Sequence, residues 1–183
     1  MKSLLGHKRE LMGKQQAFTL VELAITIAIL AILAMIAYPS MMEALRKMES
    51  KKVESIIHSA LIEARNESHI TKRNIIICPA DVSNNCNKQS DVKIIVFRDV
   101  NNDAQFHDNA LVKEYSLNLK HGRVDMRVSA SRNYIKYFGS SASPRGHFGH
   151  IKYCSVSDNE TLSYKMILTH TGLVRKSFDD VSC

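Results

Sequence analysis

The sequence predicts an α+β fold, one long N-terminal helix packed on an antiparallel β-sheet domain. Three observations lead there. An apolar run from Phe18 to Tyr38 carries a single charge, Glu22. From Ser40 to about Lys72 the apolar residues recur at helical spacing. Beyond Lys72 the chain breaks into short β-rich runs separated by Asn, Asp, Ser and Gly.

The apolar run has a length and a charge that pull in different directions. Phe18 to Tyr38 is 21 residues, which as a helix spans about 31 Å, enough for a bilayer core. A carboxylate in a membrane helix costs roughly 2.5 to 3.5 kcal/mol on insertion scales, so Glu22 needs a reason to be there. The expected reason is a partner charge on a neighbouring copy of the same kind of protein. A secretory signal peptide also has a basic front, an apolar middle and small residues such as Ala34 and Ala37 near its end. That alternative, like an ordinary single-span anchor, leaves Glu22 without a role.

Charge is distributed to match a spanning segment. Lys2, Lys8, Arg9 and Lys14 stand against Glu10 ahead of the run, so removing residues 1–17 takes the formal charge from +7 to about +4. Much of the basicity is therefore a topology signal that keeps the front of the chain in the cytoplasm. The remainder is compatible with nucleic acid or acidic surfaces without being diagnostic of either.

The second half of the helix is amphipathic. Met41, Leu45, Met48, Ile56, Ala60 and Ala64, with Val53, Ile57 and Leu61 beside them, form a stripe expected to pack on the β domain. Arg46, Lys47, Glu49, Lys51, Glu54 and Glu63 take much of the other face. One helix is thus expected from Phe18 to near Ser68. Pro39 is expected to kink it, because its ring removes the hydrogen bond to the Met35 carbonyl.

Eight strands are expected after it: Asn74 to Cys78, Val92 to Arg98, Leu111 to Leu117, Arg123 to Val128, Tyr134 to Phe138, Phe148 to Cys154, Leu162 to Thr169 and Leu173 to Ser177. Asn101-Asn102-Asp103 and Ser140 to Gly146 read as loops. About a hundred residues must build this single small core.

The segment Ala17-Phe18-Thr19-Leu20-Val21-Glu22 resembles the leader junction of type IV prepilins and type II secretion pseudopilins. Ala17 stands where the family usually carries Gly, Phe18 where the new N-terminus falls, and Glu22 four residues later. A start at Met12 in place of Met1 leaves a short leader typical of the class. The second half is similar to the GspH/FimT family through Ile77-Cys78-Pro79, Cys86, Ile95 to Asn101, Pro144-Arg145-Gly146, Tyr153-Cys154, Thr171 to Arg175 and Cys183. The resemblance implies a pilin fold in four parts: a leader at 1–17, a transmembrane helix at 18–38, its amphipathic continuation at 39–72, and a periplasmic β-rich domain at 73–183.

The resemblance implies a minor pilin or pseudopilin. Prepilin peptidase is expected to cleave after Ala17, the Phe18 amine to be N-methylated, and that cation to pair with Glu22 of an adjacent subunit as the helix leaves lipid for a filament. Other pilins and the inner-membrane assembly platform are the implied partners, with a place near the filament tip. Type IV pilus and type II secretion roles share this architecture. FimT-type relatives imply an alternative, capture of double-stranded DNA through a Gly-Arg-x-Arg loop. Here that loop reads Gly172-Leu173-Val174-Arg175, followed by Lys176. Lys165, Lys152 and Arg145 are further candidates for phosphate contacts.

The four cysteines allow three pairings. In an oxidising periplasm disulfides are expected. Cys78 with Cys86 closes a short loop, and Cys154 with Cys183 pins the chain end. The spacing does not suit zinc. Asp99, Asn101 and Asp103 alternate like the start of a calcium loop, but Ala104 replaces its Gly and no Glu stands at the twelfth position, so a polar turn is the expectation. His147 and His150 flank Gly149 and read as solvated side chains. No nucleophile elbow, phosphate loop or dinucleotide signature occurs. The chain is expected to be an enzyme's substrate and not an enzyme, with no cofactor or metal.

Overall fold

A computed structural model describes residues 19–156, 162–179, 181 and 183. The chain divides between Met41 and Met42 into two units. A single helix, α1 (Leu20–Thr71), contributes to both and has Pro39 in its interior. It ends three residues beyond the expected Ser68, where Thr71 Oγ1 donates to the Glu67 carbonyl at 2.7 Å.

In the first unit the apolar side chains of α1 are exposed throughout, from Leu20 to Tyr38. The most apolar 18-residue stretch has a mean hydropathy of 2.7 and none of it is buried. Among the described residues this is the one helix long and apolar enough to cross a membrane.

In the second unit α1 is followed by nine strands. These are β1 (Ile75–Ala80), β2 (Gln89–Ser90), β3 (Lys93–Arg98), β4 (Leu111–Ser116), β5 (Gly122–Val128), β6 (Ile135–Tyr137), β7 (Gly149–Ser155), β8 (Tyr164–Leu168) and β9 (Val174–Ser177). They form two antiparallel sheets. One is ordered β4-β3-β1-β6, the other β2-β5-β7-β8-β9. Each of the eight sequence-expected runs overlaps a strand, with β1 running two residues further to Ala80, and β2 is the addition.

The inner faces of both sheets close over one side of α1. Val53, Ile57, Ala60, Leu61 and Ala64 of the helix share a core with Ile75, Ile77, Ile94 and Val96 of the first sheet. Val124, Met126, Ile151, Tyr153, Tyr164 and Met166 complete it from the second. The stripe is shorter than the sequence suggests, for Leu45 and Met48 are exposed, as is Met41. Among the described residues, hydrogen bonds to the β domain begin at Glu49, whose carboxylate accepts from Tyr153 Oη at 2.9 Å, and at Ser50, whose Oγ donates to the Leu162 carbonyl at 2.8 Å and whose carbonyl accepts from Tyr164 Oη at 3.0 Å.

A second cluster lies behind the first sheet, where Ile76, Cys78, Ala80, Ile95 and Phe97 pack with Ala110 and Phe106. Both faces of β1 are therefore covered, which is why it reads as an unbroken apolar run and not an alternating one. The edge strand β4 is mostly exposed and carries Lys113 and Glu114, charges that discourage further pairing.

Candidate functional site

The start of α1 holds the first candidate. Ala17 and Phe18 lie outside the described residues. Thr19 caps the helix: its Oγ1 accepts the Glu22 N–H at 3.2 Å, and its carbonyl accepts the Leu23 N–H at 3.2 Å. Thr19-x-x-Glu22 is thus a capping-box pattern, a signal that the sequence carries and that the apolar periodicity does not show. The positive end of the helix dipole favours a carboxylate in the first turn, by roughly 0.3 to 1 kcal/mol. That is smaller than the roughly 2.5 to 3.5 kcal/mol that a charge costs in a membrane helix. The helix therefore offsets part of the Glu22 penalty and leaves the larger part for another group.

The second candidate is the basic set on the β domain, and the structure regroups it. β8 buries Tyr164, Met166 and Leu168 and turns Lys165 and Ile167 outward. Arg175 pairs with Ile167 in register, so it shares the outer face and is exposed. Lys176 faces the other way, where its Nζ lies 2.6 Å from Glu54 Oε2 of α1 and 4.6 Å from the Tyr164 ring centroid. Lys152 pairs with Lys165 across the strands but is buried, its ammonium 3.6 Å from Asp125. Arg145 is exposed and fixed by Ser140 and Ser141, to which its guanidinium donates at 2.8 and 3.2 Å. Its loop abuts the β8–β9 turn, since a Cβ built on Gly172 falls 3.4 Å from Pro144 Cδ. Gly172 has φ +85, a left-handed turn position that suits glycine.

Both disulfides are formed in the structure. Cys78–Cys86 has a Cα–Cα distance of 5.5 Å and Cys154–Cys183 one of 5.7 Å. Between the first pair, Asp81 Oδ1 accepts the N–H groups of Ser83 and Asn85, both at 2.9 Å. Hydrogen bonds from Asn85 hold the Asp81 carboxyl below its usual range. The backbone oxygen of Cys183 also accepts from Arg123 Nη2 at 2.7 Å.

The Asp99–Asp103 segment is a turn held by side chains. Asp99 is buried beside the Lys136 ammonium, 2.6 Å away, and accepts the Ala104 N–H at 3.1 Å. Asp103 takes His107 Nε2 at 2.8 Å and the Gln105 N–H at 3.0 Å. The cation in this loop is an amine of the protein. Among the described residues no group of three or more His, Cys, Asp or Glu is placed to hold a metal ion.

His147 departs from its sequence reading. It is buried and not solvated, with its ring 5.4 Å from that of Tyr134 and 5.5 Å from that of Phe138. Burial, then the nearby Arg132 and Lys136 charges, push it down to about 4. His150 is half-buried and lowered, first by burial and then by Lys165.

Residues 12–38 match the family model described as Prokaryotic N-terminal methylation motif, and residues 56–172 match the one described as Type II transport protein GspH. No curated protein matches the chain, and no solved structure does.

Proposed function

The chain belongs to the GspH family of type II transport proteins, and from that premise we propose a filament subunit whose incorporation depends on Glu22. The coarse role comes from the family and the methylation motif. It is a minor pseudopilin or pilin subunit, a structural component and not an enzyme, anchored in a membrane by a single apolar helix.

The proposal adds steps to that role. Prepilin peptidase cleaves after Ala17, and the freed Phe18 amine is methylated and stays cationic. The leader faces the cytoplasm and the β domain the periplasm, an oxidising compartment where both disulfides persist. The Phe18 cation pairs with Glu22 of an adjacent subunit. In low dielectric each charge alone is costly, and together they are tolerable, so the pair selects register as the helix leaves lipid. The assembly platform then extracts the subunit, and a tip-proximal position primes assembly.

The observation that carries this reading is an exposed carboxylate, Glu22, in the first turn of a helix whose most apolar stretch buries nothing within its own chain. Such a surface is completed by lipid or by other helices. Mass spectrometry of the membrane fraction tests the processing steps. The expected mature protein begins at N-methylated Phe18. A protein that still begins upstream of Phe18, or one trimmed near Ala37 and released, contradicts the reading.

A second reading, capture of double-stranded DNA, has narrower support. The Arg145 loop and the Gly172 turn are neighbours, and Arg175 is exposed on the same domain. Lys176 is tied to Glu54 and Lys152 is buried beside Asp125, so neither is offered to a phosphate. On this reading the full-length chain in detergent retards duplex DNA with a strong salt dependence, and Arg175→Ala weakens it. No retardation at low salt removes the reading.

A further inference from the structure

We propose that the forked edge of β5 is a docking site for an extended, acidic segment of another protein. The fork arises because β2 is too short to cover its neighbour. Gln89 pairs with Asp125 and Ser90 with Val124, and the Met126 N–H donates to the Lys88 carbonyl at 2.7 Å. There the chain leaves for the other sheet. The Asn87 N–H goes to the Pro79 carbonyl at 2.8 Å, and Cys86 bridges Ala80. β5 itself continues to Val128.

Strand alternation decides what this leaves open. Val124 and Met126 turn their backbone groups toward β2, so Val128, two residues on, turns its own to the same side, past the point where the partner strand departs. A cleft of about 640 Å³ occupies the fork. Lys88, Arg127, Arg132 and Ser131 line it together with Asp125 and Val128. Three cations therefore face one carboxylate, and that carboxylate already has Lys152 at 3.6 Å and Gln89 Nε2 at 3.4 Å. Arg132 is held in place by the carbonyls of Ser129 and Gly146, at 2.9 and 3.2 Å.

The chemistry of the fork selects its occupant. An open strand end with cations on its rim suits a peptide that adds a β-strand and presents carboxylates beside it. A nucleic acid fits less well, since none of the lining residues has an aromatic ring on which a base could stack. A second mature copy of this chain is also a poor occupant, for without residues 1–17 its formal charge is still about +4. The site is independent of the Glu22 pairing.

The test uses the full-length chain in detergent micelles and a fluorescent hexapeptide of alternating valine and glutamate, read by anisotropy. The valine–lysine peptide and a short DNA duplex are the competitors. The glutamate peptide is expected to bind, and Lys88→Glu and Arg127→Glu, both at exposed positions, to weaken it about tenfold each with unchanged thermal unfolding. Bound peptide is also expected to slow hydrogen exchange at the Val128 amide. Absence of binding, equal binding of the lysine peptide, unaltered binding by both charge reversals, or displacement of the peptide by the duplex overturns the proposal.

Discussion

Tyr153, in the middle of β7, donates its phenolic hydrogen to Glu49 Oε1 of α1 at 2.9 Å. The same carboxylate accepts the backbone N–H groups of Lys120 and His121, at 2.9 and 3.0 Å, just before β5. One side chain thus fastens the helix to β7 and to the segment that leads into β5. Gly122 leaves room for the Tyr153 ring, since a Cβ there falls 2.4 Å from Tyr153 Cζ. Burial, and then the bond to Glu49, raise the Tyr153 hydroxyl well above its ordinary range, so it remains a donor at physiological pH. Hydrogen bonds to charged groups contribute roughly 1.5 to 3 kcal/mol. Glu49→Ala is expected to destabilise the β domain by about 3 kcal/mol, and Glu49→Gln, which keeps an acceptor, by less. Urea unfolding followed by Tyr fluorescence measures both.

Asp99 and Lys136 form the most enclosed ion pair among the described residues, with side chains 0% and 9% exposed. Removing one member leaves the other charged and buried, which typically costs about 3 to 5 kcal/mol. Lys136→Met is expected to fall in that range. Asp99→Asn combined with Lys136→Met is expected to cost less than the single change, because no unpaired charge remains. Denaturant midpoints of the two variants decide the matter.

The two disulfides close loops of different length, with separations of 8 and 29 residues. The chain-entropy relation gives about 2.5 kcal/mol for the shorter and about 3.5 kcal/mol for the longer. Replacing Cys154 and Cys183 by Ser is therefore expected to lower the thermal midpoint more than replacing Cys78 and Cys86. Thermal unfolding in detergent gives the comparison.

The β runs are legible in the sequence because each is rich in apolar or β-branched residues and bounded by turn formers. β2 is not, since Gln89 and Ser90 are polar and too few to show alternation. Periodicity carries the helical stripe too far toward the membrane. Leu45 and Met48 keep the spacing, but the hydrogen bonds to the β domain begin at Glu49 and Ser50, polar residues that periodicity discards. The basic set is misgrouped by sequence for a similar reason. Adjacent Arg175 and Lys176 necessarily face opposite sides of a strand, and the tie of Lys176 to Glu54 spans 122 positions. His147 reads as solvated beside Gly149, yet Tyr134 and Phe138 reach it from a different strand region. The Lys88–Arg127–Arg132 cleft has no sequence signal at all, because it depends on where β2 leaves β5.

His147 gives the domain a pH dependence of definite sign. Its folded value, about 4, lies below the ordinary 6.5, so the folded state favours the neutral ring. The unfolded chain binds the extra proton, and the stabilisation is present above pH 6.5 and lost as the pH falls toward 4. His150 is lowered too and adds a slope of the same sign. Asp81 and Asp103 are lowered from 3.8 and act below this window. His147→Phe is expected to reduce, and not abolish, the fall in urea midpoint between pH 7 and about pH 4.5. An unchanged slope contradicts the assignment.

On the proposed reading, a carboxylate is tolerated at the membrane end of α1 because another subunit supplies the opposite charge. Site-specific crosslinking between this chain and other pilins, in membranes of assembling cells, tests it most directly when wild type and Glu22→Ala are compared at equal membrane insertion. Insertion is expected to be unchanged and crosslinking to filament partners to drop about tenfold, the equivalent of ~1.4 kcal/mol. Crosslinking of Glu22→Ala at the wild-type level contradicts the claim.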